Sequence, residues 1–252
     1  MLVRRLIALY TGLWLYGFSM AMMIRANLGL DPWDVFHQGV VEHVPLSFGL
    51  VTALTGAVVL LAWIPLRQMP GIGTVSNVVV IAISVDVGLA WLPDFDDMAV
   101  RVPAMVGAVV LNAIASVLYI AAGMGPGPRD GLMTGLVAHT GRSVRLVRTG
   151  IEVMVLTTGW LLGGSVGVGT LVYALGIGPL IQLFIPLVSG FLPGFGARKA
   201  STVGPVTAMV EPGLLGVTSV GNPSAVVESK AGVILPANQS GPASVTPVAV
   251  PE

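Results

Sequence analysis

Residues 29–39 read GLDPWDVFHQG and residues 125–135 read GPGPRDGLMTG, so the motif Gly-x-x-Pro-x-Asp occurs twice, 96 residues apart. At the same offset, GIGT at 71–74 matches GVGT at 167–170 without a gap. Each copy of the motif lies between long apolar stretches. The chain therefore contains two sequence repeats.

The composition predicts a protein whose main partner is the lipid bilayer. Of the 252 residues, 54% are hydrophobic and 10% are charged, against about 25% charged residues in soluble domains. Acidic and basic residues cancel, and no nucleic-acid-binding motif is present, so we expect no nucleic-acid partner. The chain has no cysteine, and no nucleophile, base and oxyanion donor can be assembled. We therefore expect no enzyme activity, no cofactor and no metal site.

Six stretches are long and apolar enough to cross a hydrocarbon core about 30 Å thick as helices. They are residues 6–24, 44–66, 71–92, 102–128 and the two parts of 153–197 that GGSVGVG at 163–169 separates. The sequence thus predicts an all-α polytopic bundle with six spanning helices.

The repeats, residues 1–98 and 99–193, would each contribute three spans. Because three is odd, the second repeat should be inverted relative to the first. Basic residues concentrate on one set of flanks, which places both termini in the cytoplasm of a bacterial inner-membrane protein. A parallel arrangement of eight spans is the alternative. Residues 194–252, rich in Pro, Ala, Ser and Val, are expected to form a disordered cytoplasmic tail.

The duplicated motif is the main candidate for a substrate site. Its glycine permits a tight turn, its proline suits the first position of a helix, and its aspartate lies where the helix dipole favours negative charge. These residues are Gly29, Pro32 and Asp34 in the first copy and Gly125, Pro128 and Asp130 in the second. Discontinuous helices at matching positions of inverted halves form substrate and ion sites in transporters. The alternative is a capped connecting helix without a substrate site, because such a helix needs the same residue types. The segment could be re-entrant, interfacial or spanning.

Arg129 stands where the first copy has Trp33, which is the main asymmetry between the copies. It could attract an anionic or polar group, or it could neutralise Asp130. Asp86 and Gln182 align at the same offset. An acid within a span is a functional candidate, unless it lies near the outer interface.

The two motif copies, together with GRSVRLVRTGIE at 141–152, resemble the YczE/YitT-type bacterial integral membrane proteins over about residues 5–192. The resemblance implies an inner-membrane protein and names no substrate. Two functions remain in contention: a small secondary transporter or exporter of an unidentified solute, and a non-transporting accessory or regulatory protein. The oligomeric state is left open.

Overall fold

The computed structural model describes residues 2–189. Within that range the chain is helical, without strands. The helices are α1 (Leu2–Ala26), α2 (Pro32–Val41), α3 (Phe48–Trp63), α4 (Ile72–Trp91), α5 (Met98–Ala122), α6 (Pro128–Thr140), α7 (Val144–Leu161) and α8 (Val168–Ser189). The expected tail lies outside the described residues, as do the last residues of the second repeat.

The six longer helices overlap the six apolar stretches, although α5 ends at Ala122 and α7 begins at Val144, nine residues before its stretch. Helices α2 and α6 begin within the two motif copies. Four helices, α1, α4, α5 and α8, are long and apolar enough to cross a membrane. Helix α3 is apolar but has only 16 residues, and α7 carries Arg145, Arg148 and Glu152. The all-helical class is confirmed, whereas the expected number of six spans stays a prediction.

The short helices begin as the motif predicts. Pro32 and Pro128 each occupy the first turn. Asp31 caps α2, because its Oδ1 accepts hydrogen bonds from the backbone N–H groups of Trp33 and Asp34 at 2.8 Å. Gly127 takes the corresponding place before α6 without a side-chain cap.

The two motif glycines bring the repeats into contact. Gly29 and Gly125 have φ values of +113° and +131°, which favour glycine. A Cβ at Gly29 would lie 2.6 Å from the backbone nitrogen of Gly167. A Cβ at Gly125 would lie 3.1 Å from the Cα of Gly71. Gly71 and Gly167 are themselves equivalent, because each begins a Gly-x-Gly-Thr break, GIGT at 71–74 or GVGT at 167–170. Each repeat therefore packs its turn against the Gly-x-Gly-Thr break of the other repeat.

Backbone hydrogen bonds follow the same reciprocal pattern. The N–H of Gly73 donates to Met124 O at 2.9 Å, and the N–H of the equivalent Gly169 donates to Leu28 O at 2.7 Å. Each short helix packs mainly against a helix of the other repeat, α2 against α7 and α6 against α3. We call this arrangement the exchange of the short helices. The two repeats therefore interlock through matching contacts.

Helices α1 and α5, which are equivalent in the two repeats, pack closely and run antiparallel. Gly12 lies against Tyr119, and Ser19 Oγ accepts a hydrogen bond from Asn112 Nδ2 at 2.9 Å. Near the other end, Arg101 Nε donates to Ala26 O at 2.8 Å. Later residues of α1 thus contact earlier residues of α5, as antiparallel helices do.

Candidate functional site

The starts of the two short helices meet at a buried charge cluster. Arg129, at the start of α6, places Nη1 3.6 Å from Asp31 Oδ2 and Nη2 3.7 Å from Asp34 Oδ1. The guanidinium carbon of Arg129 lies 4.9 Å from the centroid of the Trp33 ring. Arg129 and Trp33 thus occupy equivalent positions of the two sequence repeats and contact each other.

Both aspartates of α2 are almost inaccessible. Asp31 is 1% exposed and Asp34 is 0% exposed. His37 Nδ1 lies 3.2 Å from Asp34 Oδ1, one turn along α2. Burial of carboxylates requires partners, and Arg129 supplies the cation from the other repeat.

Asp130 has a different environment from its counterpart Asp34. The hydroxyl of Tyr119 donates to Asp130 Oδ2 at 3.3 Å, and the ion pairs of Arg129 go to the first repeat. Arg129 therefore pairs with the first repeat, and neutralisation of Asp130, one of its two roles considered from the sequence, stays a prediction. The packing of each short helix against the other repeat brings Asp31 and Asp34 to the guanidinium of Arg129.

Two cavities flank the Arg129–Trp33 stack. The first has a volume of about 110 Å³ and the second about 150 Å³. Both are lined by Tyr16 of α1 and Tyr119 of α5. The two rings make an edge contact with their centroids 6.1 Å apart. The stack and the tyrosines form a shared wall.

Most of the remaining wall residues of the two cavities lie at equivalent positions of the two repeats. The first cavity is lined by α3 and α4, and the second by α7 and α8. At the offset of 96, the lining pairs include Thr52 and Arg148, Thr55 and Ile151, Gly56 and Glu152, Asn77 and Tyr173, and Ile81 and Ile177. The cavities are therefore counterparts in the two halves.

The two cavities differ in charge. Hydroxyl and amide groups from Thr52, Thr55 and Asn77 line the first. Arg148 and Glu152 line the second, and their side chains pair with Arg148 Nε 2.7 Å from Glu152 Oε1. Their four-residue spacing places the two side chains on one face of α7, where such pairs form.

Asp86 and Gln182 lie away from this cluster. Asp86 accepts hydrogen bonds from Ser47 Oγ at 2.6 Å and from the backbone N–H of Gly49 at 2.7 Å, so it satisfies the first turn of α3. Gln182 is exposed on α8. Neither lines either cavity, and the geometry gives Asp86 a capping role.

The sequence did not single out the tyrosines of the shared wall or Asp31. The alignment of the repeats does point to one of these tyrosines. At the offset of 96, Tyr16 is equivalent to Asn112, and Asn77 is equivalent to Tyr173. Tyr173 donates to Asn112 Oδ1 at 3.2 Å. A tyrosine–asparagine set thus occurs in both halves with the identities exchanged, which a search for identical residues misses.

Within residues 2–189, no group of three His, Asp or Glu side chains is arranged to hold a metal ion. The candidate ligands for a small molecule are instead the carboxylates, the aromatic rings and the cavity hydroxyls.

Four helices that are long and apolar enough to cross a membrane, packed with the other helices around cavities lined by charged and aromatic side chains, define a polytopic helical membrane protein. Comparison with known proteins agrees: the chain belongs to DUF6198, a family of unknown function, whose model matches residues 3–186. It is 31% identical to the uncharacterized membrane protein YczE of Bacillus subtilis, over 80% of this chain and 95% of that protein. The expected resemblance is thereby confirmed for YczE.

A second relative is an uncharacterized protein of Haemophilus influenzae, which is 32% identical over 69% of this chain and 79% of its own length. No solved structure matches the chain.

Proposed function

We propose that the protein is a small secondary transporter or exporter of the bacterial inner membrane, built from two inverted repeats of three spans each. In this proposal both termini are cytoplasmic, and a solute binds at the cluster formed by the two short helices. The antiparallel packing of α1 and α5 supports inversion, because equivalent helices of inverted repeats run in opposite directions.

The observation that carries the proposal is the pair of matching cavities on the two sides of the Arg129–Trp33 stack. In transporters with inverted repeats, the site lies at the interface of the halves, and access alternates when one half moves against the other. Here the shared wall contains both motif starts. In this proposal each cavity is the access route to the site from one side of the membrane. Equivalent positions of the two repeats line the two routes.

A single-cysteine experiment tests this proposal, because the chain contains no native cysteine. Thr55→Cys lies in the first cavity and Ile151→Cys in the second, at equivalent positions. We expect a membrane-impermeant maleimide to modify one in intact cells and the other in inverted vesicles. Inverted repeats require this result, since equivalent positions then have opposite access.

Ala57→Cys and Val153→Cys are matched controls at exposed positions of α3 and α7 that line neither cavity. Facing lipid, they should react poorly from both sides. Modification of both cavity cysteines from one side only would remove the basis for alternating access and favour the accessory-protein alternative.

A further inference from the structure

The environment of Arg129 shows what kind of group the centre of the molecule accepts. Its guanidinium lies over the Trp33 ring and faces the carboxylates of Asp31 and Asp34 at 3.6 and 3.7 Å. Charge-assisted N–H···O bonds are usually about 2.7–2.9 Å long. At these distances the guanidinium makes ion pairs with both carboxylates but no hydrogen bond of that length.

The cluster has more acid than base. Within residues 2–189, Arg129 is the arginine or lysine that pairs with Asp31 and Asp34, and His37 Nδ1 lies 3.2 Å from Asp34 Oδ1 as a further polar partner. One permanent cation thus compensates two potential anions. Asp31 Oδ2 and Asp34 Oδ2 are both buried and accept no hydrogen bond from the described part of the chain. Since Oδ1 of Asp31 caps α2, its second oxygen is available to a ligand in the adjoining second cavity.

The cavity walls suit a cation. Tyr16, Trp33 and Tyr119 line both cavities, and aromatic faces attract ammonium and guanidinium groups. The second cavity, of about 150 Å³, is about ten times larger than the roughly 10–15 Å³ that one water molecule needs on the same measure. This volume fits a ligand as small as ethylguanidinium.

We infer that the central site binds a small organic monocation, an ammonium or guanidinium compound, which takes the place of the Arg129 side chain beside Asp31 and Asp34. The inference rests on the proposed function, because it names the substrate class of the same site. Arg129 then acts as a tethered counterion that holds the empty site together and moves aside for the ligand.

The test measures binding without transport. The melting temperature of the purified full chain in detergent is recorded against ethylguanidinium chloride, with ethylurea at equal concentration as the neutral analogue. Sodium chloride at equal ionic strength controls for screening. We expect only ethylguanidinium to raise the melting temperature in a saturable way. A similar rise with ethylurea would overturn the inference.

Two variants assign the effect to the cluster. Asp34→Asn should weaken the apparent affinity for ethylguanidinium at least tenfold, whereas Glu42→Gln, an exposed acid at the end of α2, should leave it unchanged. If Asp34→Asn does not fold, Arg129→Gln decides. Without the tethered guanidinium, the free cation should bind more tightly and restore lost stability. An unchanged or weaker effect in Arg129→Gln would contradict the inference.

Flux measurements separate this inference from the proposed function. If ethylguanidinium binds at the cluster but the reconstituted protein moves no solute, the transporter proposal fails and the cation site stands. If the protein moves neutral or anionic solutes and ethylguanidinium neither binds nor competes, the inference fails and the transporter proposal stands.

Discussion

Trp63 gives the sharpest test of the exchanged packing of the short helices. Its side chain is 1% exposed, and its indole Nε1 donates to Pro128 O at 3.0 Å. A Cβ on Gly131 of α6 would overlap the indole ring. At the offset of 96, Trp63 is equivalent to Gly159, and Gly131 is equivalent to Val35. Gly159 and Val35 also contact each other, so here the small residue lies on the long helix and the larger one on the short helix.

Truncation of Trp63 should therefore loosen α6 from α3. Trp63→Ala creates a cavity and should lower the free energy of unfolding by about 3–5 kcal/mol. The lost hydrogen bond to Pro128 accounts for about 0.6 kcal/mol of this, the average value for hydrogen bonds between membrane helices. Gly131→Ala alone should cost about 1–3 kcal/mol, because the added methyl group overpacks the interface.

The double variant Trp63→Ala/Gly131→Ala should cost less than the sum of the single changes. The new methyl group fits the space that the indole leaves, so we expect a coupling energy of about 0.5–3 kcal/mol. Unfolding by sodium dodecyl sulfate in mixed micelles, followed by circular dichroism, measures each value. Trp91→Ala is the control, since Trp91 is 78% exposed. Additive losses, or a Trp63→Ala loss no larger than that of the control, would refute this packing.

Asp86→Ala should lower the free energy of unfolding by about 1 kcal/mol, because α3 loses its capping acceptor, whereas Asp86→Asn retains an acceptor and should lose less; equal losses in the same micelle titration would contradict the capping role. Asn112→Ala breaks hydrogen bonds to two helices and should cost about 1 kcal/mol at about 0.6 kcal/mol per bond. A loss below the error of that titration would show that these bonds do not stabilise the bundle. For the topology, Asp96→Cys should react with an impermeant maleimide in intact cells and Ser143→Cys should not; the reverse pattern, or modification of both, would contradict inversion with cytoplasmic termini.

The sequence predicted the helices well because apolar runs and breaks are local properties. Helix α4 (Ile72–Trp91), for example, matches the apolar stretch 71–92, and the N–H of Gly71 donates to Thr74 Oγ1 at 3.1 Å at its start. The short helix α2 likewise begins at Pro32. Such signals depend on residues a few positions apart, so they can be read without knowledge of the tertiary structure.

The candidate site was predicted only in part, because its partners come from different repeats. Asp34 and Arg129 were both candidates, but nothing local indicates that the exchange of α2 and α6 brings them together. Asp86 was a candidate because an acid in an apolar helix is costly. Its partners, Ser47 and Gly49, are 39 and 37 residues away, so the cap became visible only in the fold.

Solute exchange in liposomes tests the central claim most directly. Purified protein is reconstituted with a panel of small cationic, neutral and anionic solutes, and exchange is compared with protein-free liposomes and with Thr55→Cys carrying a bulky maleimide in the first cavity. The account predicts that the unmodified protein exchanges at least one solute and that the blocked variant exchanges none. Correctly folded protein that exchanges no class of solute, or a blocked variant as active as the unmodified protein, would contradict it.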